Sequence, residues 1–117
     1  MFGGGIIAMK VYITYYKASD GVRVAYACAS DSWVNFYFRR FDKSNTEKDV
    51  INYIMSFADK SDEKVFIISN NQKMIRIMQK MEDTDNVSFI GRYESEQARD
   101  IFIKLQVALT KKENYND

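Results

Sequence analysis

The chain has 117 residues, of which 46% are hydrophobic and 28% charged, and its formal net charge is +1. This length suits one domain with a core of its own, and the near-neutral charge provides no global field that would attract nucleic acid or an anionic membrane. The sequence contains no histidine. Ser-His-Asp triads, Cys-His pairs and histidine-ligated zinc are therefore excluded within this chain. Carboxylate-bound Mg²⁺ or Mn²⁺, lysine or tyrosine chemistry, and functions without catalysis remain open.

Both ends of the chain differ in composition from its centre. Residues 1–8 (MFGGGIIA) lack the basic start of a signal peptide and the length of a membrane span. We interpret them as a flexible extension or a cloning remnant, residues 9–111 as a single domain, and residues 112–117 as a polar tail. We expect no membrane partner. The single cysteine, Cys28, is expected to be a buried structural thiol, and a chain without disulfides favours a reducing, cytoplasmic setting.

The first part of the domain predicts three consecutive antiparallel strands. The first strand, 11–16, is rich in β-branched and aromatic residues, and the Asp20-Gly21 pair that follows it is typical of tight hairpins. The second strand spans 22–28. The third, 33–41, is apolar or aromatic at nearly every position, which is typical of a strand covered on both faces.

Helices and strands alternate in the rest of the chain. The predicted elements are a helix over 44–58 opened by a capping box from Ser44 to Glu47, a strand over 64–68, a helix over 72–81, a strand over 87–91 and an amphipathic helix that starts near Ser95. The element order is therefore β-β-β-α-β-α-β-α. Each strand that follows a helix should join in parallel by a right-handed crossover. The predicted fold class is α/β, with a mixed five-stranded sheet and helices on both faces.

This element order resembles the ribonuclease H-like fold across residues 9–111. Two local segments add to the likeness, Ser-Asn-Thr-Glu-Lys-Asp at 44–49 and Ile-Ser-Asn-Asn-Gln at 68–72. Members of this family that cleave nucleic acid hold two Mg²⁺ ions with four carboxylates, because the two cations repel each other unless several anionic oxygens surround them.

Carrying those four positions over to this chain recovers one acid. The positions fall on Thr14 in the first strand, Asp49 in the first helix, Asn70 after the fourth strand and Arg99 in the last helix. The resemblance therefore implies a divergent member with a degenerate active site, no catalytic residues and no metal or other cofactor. If the two positions on helices lie close together, we expect an ion pair between Asp49 and Arg99; otherwise both side chains occupy solvated helix faces.

Our first functional hypothesis is a non-catalytic binding module associated with nucleic acid. Its candidate phosphate contacts are basic residues at the end of the third strand and on the second helix: Arg39, Arg40, Lys43, Lys73 and Arg76. The alternative interpretation is that Arg39 and Arg40 end a strand and pair with Asp42 or Glu47, as in an ordinary solvated run of charges.

Two other hypotheses remain open. One is a protein-interaction module that forms a homodimer or binds a protein partner, either through a third strand that forms a sheet edge and pairs with another copy, or through aromatic residues of the first and third strands: Tyr12, Tyr15, Tyr16, Trp33, Phe36 and Tyr37. The competing interpretation places these rings in the interior. The other hypothesis is a divergent metal-dependent nuclease that uses Glu47, Asp49 and Asp100.

Overall fold

The computed structural model describes residues 8–111, with elements in the predicted order. They are β1 Ala8–Ala18, β2 Gly21–Ala29, β3 Val34–Phe41, α1 Glu47–Ala58, β4 Lys64–Ser69, α2 Gln72–Met78, β5 Val87–Gly91 and α3 Glu96–Leu109. The predicted tail and most of the predicted N-terminal extension lie outside the described residues, but Ala8 begins β1 and so does not belong to an extension. No helix in residues 8–111 is long and apolar enough to cross a bilayer.

The five strands form one mixed sheet in the order β3-β2-β1-β4-β5. β1 pairs antiparallel with β2 and parallel with β4, so the first strand lies in the middle. β2 pairs antiparallel with β3, and β4 pairs parallel with β5. The predicted mixed five-stranded sheet with three helices is confirmed.

Alternate residues of the central strand enter two separate cores. Val11, Ile13 and Tyr15 of β1 belong to a cluster that also contains the buried faces of α1 and α2. Tyr12 belongs to a second cluster with the buried face of α3. This division follows from the pleat, since successive side chains of a strand point to opposite faces.

β2 contributes very different side chains to these two cores. Val24, Tyr26 and Cys28 belong to the cluster with α1 and α2, whereas three alanines belong to the cluster with α3. The alanine row consists of Ala25, Ala27 and Ala29. Cys28 is buried, as predicted, and burial raises the pKa of its thiol to about 11.

The prediction that the third strand is covered on both faces is wrong. β3 pairs with β2 alone and forms an edge of the sheet, and its residues alternate between exposed and half-buried. Phe36 and Phe38 pack against the α3 core, and Phe41 packs against the other core. A run of aromatics along this strand therefore covers the margins of two cores rather than the centre of one.

Two helix boundaries also differ from the prediction. The capping box of α1 joins Thr46 and Asp49, not Ser44 and Glu47, because the turn before the helix continues to residue 45. α2 ends at Met78 rather than at residue 81, since the backbone N–H groups of residues 80 and 81 bond to carbonyls three residues back and tighten the last turn. Asn71 caps α2: its Oδ1 accepts hydrogen bonds from the backbone N–H groups of Lys73 and Met74, at 3.0 and 3.2 Å.

Candidate functional site

β1, past its midpoint, and β4, at its carboxyl end, each bury a polar side chain. Thr14 is 1% exposed, and its hydroxyl oxygen accepts a hydrogen bond of 3.1 Å from Nε2 of Gln106 on α3. The hydroxyl of Ser69 donates to the carbonyl oxygen of Ile13 at 2.8 Å and accepts from the N–H of Asn71 at 3.0 Å. Both hydroxyls therefore serve to join these strands to neighbouring elements.

A groove of about 450 Å³ lies along α3 beside these strands. We call it the α3 groove. One wall is formed by one side of α3, and the facing wall by residues 69–70 and 92–95; the α3 residues are Ala98, Arg99, Phe102, Ile103, Gln106 and Val107. Two of the four positions given by the resemblance, Asn70 and Arg99, line this groove. Thr14 contacts it through its hydrogen bond to Gln106, which is also a lining residue.

Asp49 serves its own helix. Its Oδ2 accepts a hydrogen bond of 2.6 Å from the backbone N–H of Thr46 and lies 3.2 Å from the Thr46 hydroxyl. No ion pair joins Asp49 to Arg99 within residues 8–111, so the predicted pair is not formed there. As a donor set for two Mg²⁺ ions these four positions do not fit, because they supply a single carboxylate, which already caps α1, together with a hydroxyl, an amide and a guanidinium.

The acids proposed for a divergent nuclease do not converge either. Glu47 accepts a hydrogen bond from Tyr15, Asp49 caps α1, and Asp100 is exposed on α3. Across the described part of the chain, no three acidic or cysteine side chains form a group that could hold a metal ion.

Sequence reasoning missed a contact at the start of α1. The Tyr15 hydroxyl donates to Oε1 of Glu47 at 2.5 Å, and this bond is the main reason that the pKa of Glu47 lies below its ordinary value. Lys73 and Lys17 lower it further by their charge. Burial, followed by the bond to Glu47, raises the pKa of Tyr15. Lys17, which was not a candidate, therefore acts on the same carboxylate as the candidate Lys73.

The five candidate phosphate contacts lie on more than one surface. Arg39 faces α1, with its guanidinium carbon 4.5 Å from the centre of the Tyr53 ring. Its neighbour Arg40 points to the opposite face of the sheet and pairs with Asp20 at 2.7 Å. The remaining candidates are exposed, one in the loop after β3 and two on α2: Lys43, Lys73 and Arg76.

The aromatic candidates also divide. Tyr12 and Tyr15 are buried, which matches the interior interpretation. Tyr16, Trp33 and Tyr37 are 54%, 40% and 42% exposed; Tyr37 lies on the edge strand β3 and Trp33 just before it, whereas Tyr16 lies near the end of β1. The remaining ring of the set, Phe36, is half-buried against the α3 core.

Arg92 and Tyr93 of the α3 groove were not predicted as site residues. A signal for them does exist in the sequence, because both follow the end of β5 just as Asn70 follows the end of β4. Carboxyl ends of adjacent parallel strands meet at one edge of a sheet, where ligands commonly bind in α/β folds.

Comparison with known proteins bears on the fold. No family model and no curated protein matches this chain. Among solved structures, a ribonuclease H1 called LC11, isolated from compost by a metagenomic approach, superposes with a TM-score of 0.50 and 10% identity, covering 87% of this chain and 95% of that one.

Two further structures superpose less well. A complex of the LC11 ribonuclease H1 with an RNA/DNA hybrid gives a TM-score of 0.44 at 14% identity, covering 87% of this chain and 99% of the other. The simian T-cell lymphotropic virus intasome in complex with PP2A regulatory subunit B56 gamma gives a TM-score of 0.42 at 11% identity, covering 90% of this chain and 40% of the other. The strand order, the mixed pairing and the first superposition agree: this chain has a ribonuclease H-like fold.

Proposed function

We propose that this chain is a non-catalytic ribonuclease H-like domain that binds nucleic acid through phosphate contacts. One observation carries the proposal. Of the four positions where the resemblance expects carboxylates, only Asp49 is acidic, and its Oδ2 lies 2.6 Å from the N–H group that it caps. Two divalent cations need several anionic oxygens around them. A scaffold without those oxygens lacks the means to hold the two metal ions that cleave nucleic acid, so any contact with phosphates must come from its basic side chains.

The phosphate contacts in this proposal centre on the start of α2. Lys73 lies in its first turn, and Arg76 follows one turn later on the same helix. Lys17 is close enough to Glu47 to influence its pKa, as Lys73 is, so the two lysines flank one carboxylate. Arg39 extends the basic surface on the α1 side, and Lys43 is exposed in the loop between β3 and α1, while Asp20 holds Arg40 on the other face. Several such contacts give binding that weakens steeply with salt.

Binding of fluorescent single-stranded DNA, single-stranded RNA and an RNA–DNA hybrid, measured by anisotropy at stepped salt concentrations, tests this proposal. We expect log affinity to fall linearly with log salt. The double variant Lys73→Glu/Arg76→Glu should weaken binding about tenfold or more and reduce the slope. Lys60→Glu/Lys104→Glu makes the same change of net charge at two exposed lysines outside α2, so it is the matched control and should have a smaller effect.

Two results would contradict the proposal. Absence of binding to all three nucleic acids at low salt would remove the binding function. Cleavage of the hybrid that depends on Mg²⁺ or Mn²⁺ would remove its non-catalytic part. A reducing, cytoplasmic location is part of the same proposal, and it is supported by a single cysteine that is buried.

A specific observation favours self-association as a second candidate function. β3 is an edge strand, and Val34 and Tyr37 on it are 37% and 42% exposed, next to Trp33. An exposed apolar edge presents unpaired backbone groups to a second copy of the chain. Sedimentation over a range of concentrations should then show a dimer that Val34→Lys converts to a monomer. A wild-type chain that stays monomeric throughout would exclude this function.

A further inference from the structure

The α3 groove exposes apolar side chains that the core does not use. Two rows of side chains on α3, each with a spacing of four residues, line the groove. One row is Ala98 and Phe102, and the other is Arg99, Ile103 and Val107. Ile103 and Val107 are 57% and 53% exposed, although the same helix buries its core stripe on another side. A concave site of about 450 Å³ with an apolar floor has the size of a small-molecule site.

Each wall of this groove supplies a guanidinium group. Arg92 follows β5 on one wall, and Arg99 belongs to α3 on the other. Arg92 makes a hydrogen bond at the long limit of 3.5 Å to Oε1 of Gln72, which leaves other N–H groups of its fork available. Two planar guanidinium groups across one groove match the oxygens of a phosphate group better than they match a single carboxylate.

The groove also contains an acceptor that a bare anion cannot satisfy. Glu94 lines the groove, and its carboxylate can accept from a hydroxyl but repels a phosphate. Tyr93, which is 37% exposed, adds an aromatic ring, and Nζ of Lys10 lies 5.1 Å from the centre of that ring. Oδ1 of Asn70 has no hydrogen-bond partner among residues 8–111, but it is buried from solvent and so lies out of reach of a molecule in the open groove.

We propose that the α3 groove binds a nucleoside monophosphate. Arg92 and Arg99 hold the phosphate, the base lies against Tyr93 and the apolar floor, and Glu94 accepts from a sugar hydroxyl. This site goes beyond the proposed function and does not depend on it, since the polynucleotide surface lies on α2. The ligand chemistry has two sources, a free nucleotide or the 5′-phosphorylated end of a single strand.

The test is titration of the ¹⁵N-labelled full chain with adenosine monophosphate, followed by NMR shifts and calorimetry. Adenosine, inorganic phosphate, and a short single strand with or without a 5′-phosphate form the comparison arms. We expect shifts at residues 92–95 and along the groove side of α3, and at least about tenfold weaker binding of adenosine and of phosphate alone.

Variants sharpen the assignment. Arg99→Glu should weaken binding of adenosine monophosphate about tenfold or more, and so should Arg92→Glu, while thermal unfolding verifies that both variants fold. Lys104→Glu is the matched control, because it makes the same change on an exposed residue of α3 that does not line the groove. It should leave the affinity unchanged within about twofold.

The outcomes separate cleanly. Equal affinity for the mononucleotide and the 5′-phosphorylated strand supports the site with a strand end as a source, and preference for the mononucleotide supports it with a free nucleotide. Equal affinity for phosphate alone and the nucleotide overturns the proposal, as does the absence of groove shifts. Loss of polynucleotide binding in Lys73→Glu/Arg76→Glu with retained mononucleotide binding distinguishes this site from the proposed function.

Discussion

The hydroxyl of Tyr15 lies 2.5 Å from Oε1 of Glu47, and this hydrogen bond joins the central strand to the first turn of α1 across 32 positions of sequence. Tyr15 is 8% exposed, so its hydroxyl would lack water if the carboxylate were removed. The contact therefore fixes where α1 begins relative to the sheet, and it depends on a charge that pH can remove.

Tyr15→Phe should lower the free energy of unfolding at neutral pH by about 1 to 2 kcal/mol, because it removes a hydrogen bond to a charged acceptor. Urea denaturation measures the change. Tyr16→Phe is the matched control, since the neighbouring ring is 54% exposed and should cost much less. Equal effects of the two substitutions would show that the bond to Glu47 adds nothing to stability.

The same bond should make stability depend on acid pH. The pKa of Glu47 in the folded chain is lower than its ordinary value of 4.5. Its contribution is therefore fully present above about pH 4.5 and is lost as the pH falls through the folded pKa. In Tyr15→Phe that acid-induced loss should be smaller. Denaturation curves of both chains at several pH values below neutrality make the comparison, and parallel pH profiles would refute it.

Asp20→Asn should destabilise the hairpin side of the sheet by about 0.5 kcal/mol at low salt. Arg23 and Arg40 are directly opposite each other on β2 and β3, and Oδ2 of Asp20 lies 3.7 and 2.7 Å from their guanidinium groups. Without the carboxylate, two like charges face each other across the strands. The deficit should shrink as salt rises. Asp62→Asn, an exposed acid in a loop, is the control, and a deficit that does not vary with salt would argue against this cause.

Asp49→Ala should lower stability by about 1 kcal/mol, the usual cost of losing a cap. Because Asp49 acts as a cap, we expect the loss to be the same with and without Mn²⁺ in thermal unfolding. Lys48→Ala, in the same turn and exposed, provides the control. A melting temperature that Mn²⁺ raises in the wild-type chain but not in Asp49→Ala would identify Asp49 as a metal ligand instead.

Gly21→Ala should destabilise the chain by more than about 1 kcal/mol. Gly21 has a φ of 153°, and a Cβ there would lie 2.3 Å from the carbonyl oxygen of Phe41, a backbone atom that cannot move aside alone. Gly91→Ala is the comparison, because its φ of 80° is also unfavourable but its Cβ would meet a side-chain methyl group at 3.4 Å. We expect the first substitution to be the more harmful in denaturant unfolding, and the reverse order would count against the clash.

The order of elements could be predicted because hydrophobic periodicity and capping residues are local signals. Ser95 caps α3 and β5 spans 87–91, both as predicted. The α1 cap was misplaced because Ser44 with Glu47 and Thr46 with Asp49 have the same spacing. Local sequence cannot choose between two such boxes when tertiary contact decides, and here Tyr15 engages Glu47.

The position of β3 and the content of the α3 groove could not be read from local patterns. An aromatic run looks the same in a central strand as at an edge that covers two core margins. Asn70 was found through the resemblance, whereas Arg92 has no such motif and is recognised as a site residue only when β4 and β5 are known to be parallel neighbours. Arg39 and Arg40 were grouped as one patch, although the pleat sends them to opposite faces.

The alanine row of β2 has a consequence for the far side of α3. Three methyl groups occupy little height, so the helix rests close against the sheet at Ala25, Ala27 and Ala29. Any larger side chain at these positions would increase the distance between α3 and the sheet. The distance between Arg99 on α3 and Arg92 after β5 would then change as well. The alanine row therefore controls the width of the α3 groove, although it lies on the opposite side of the helix.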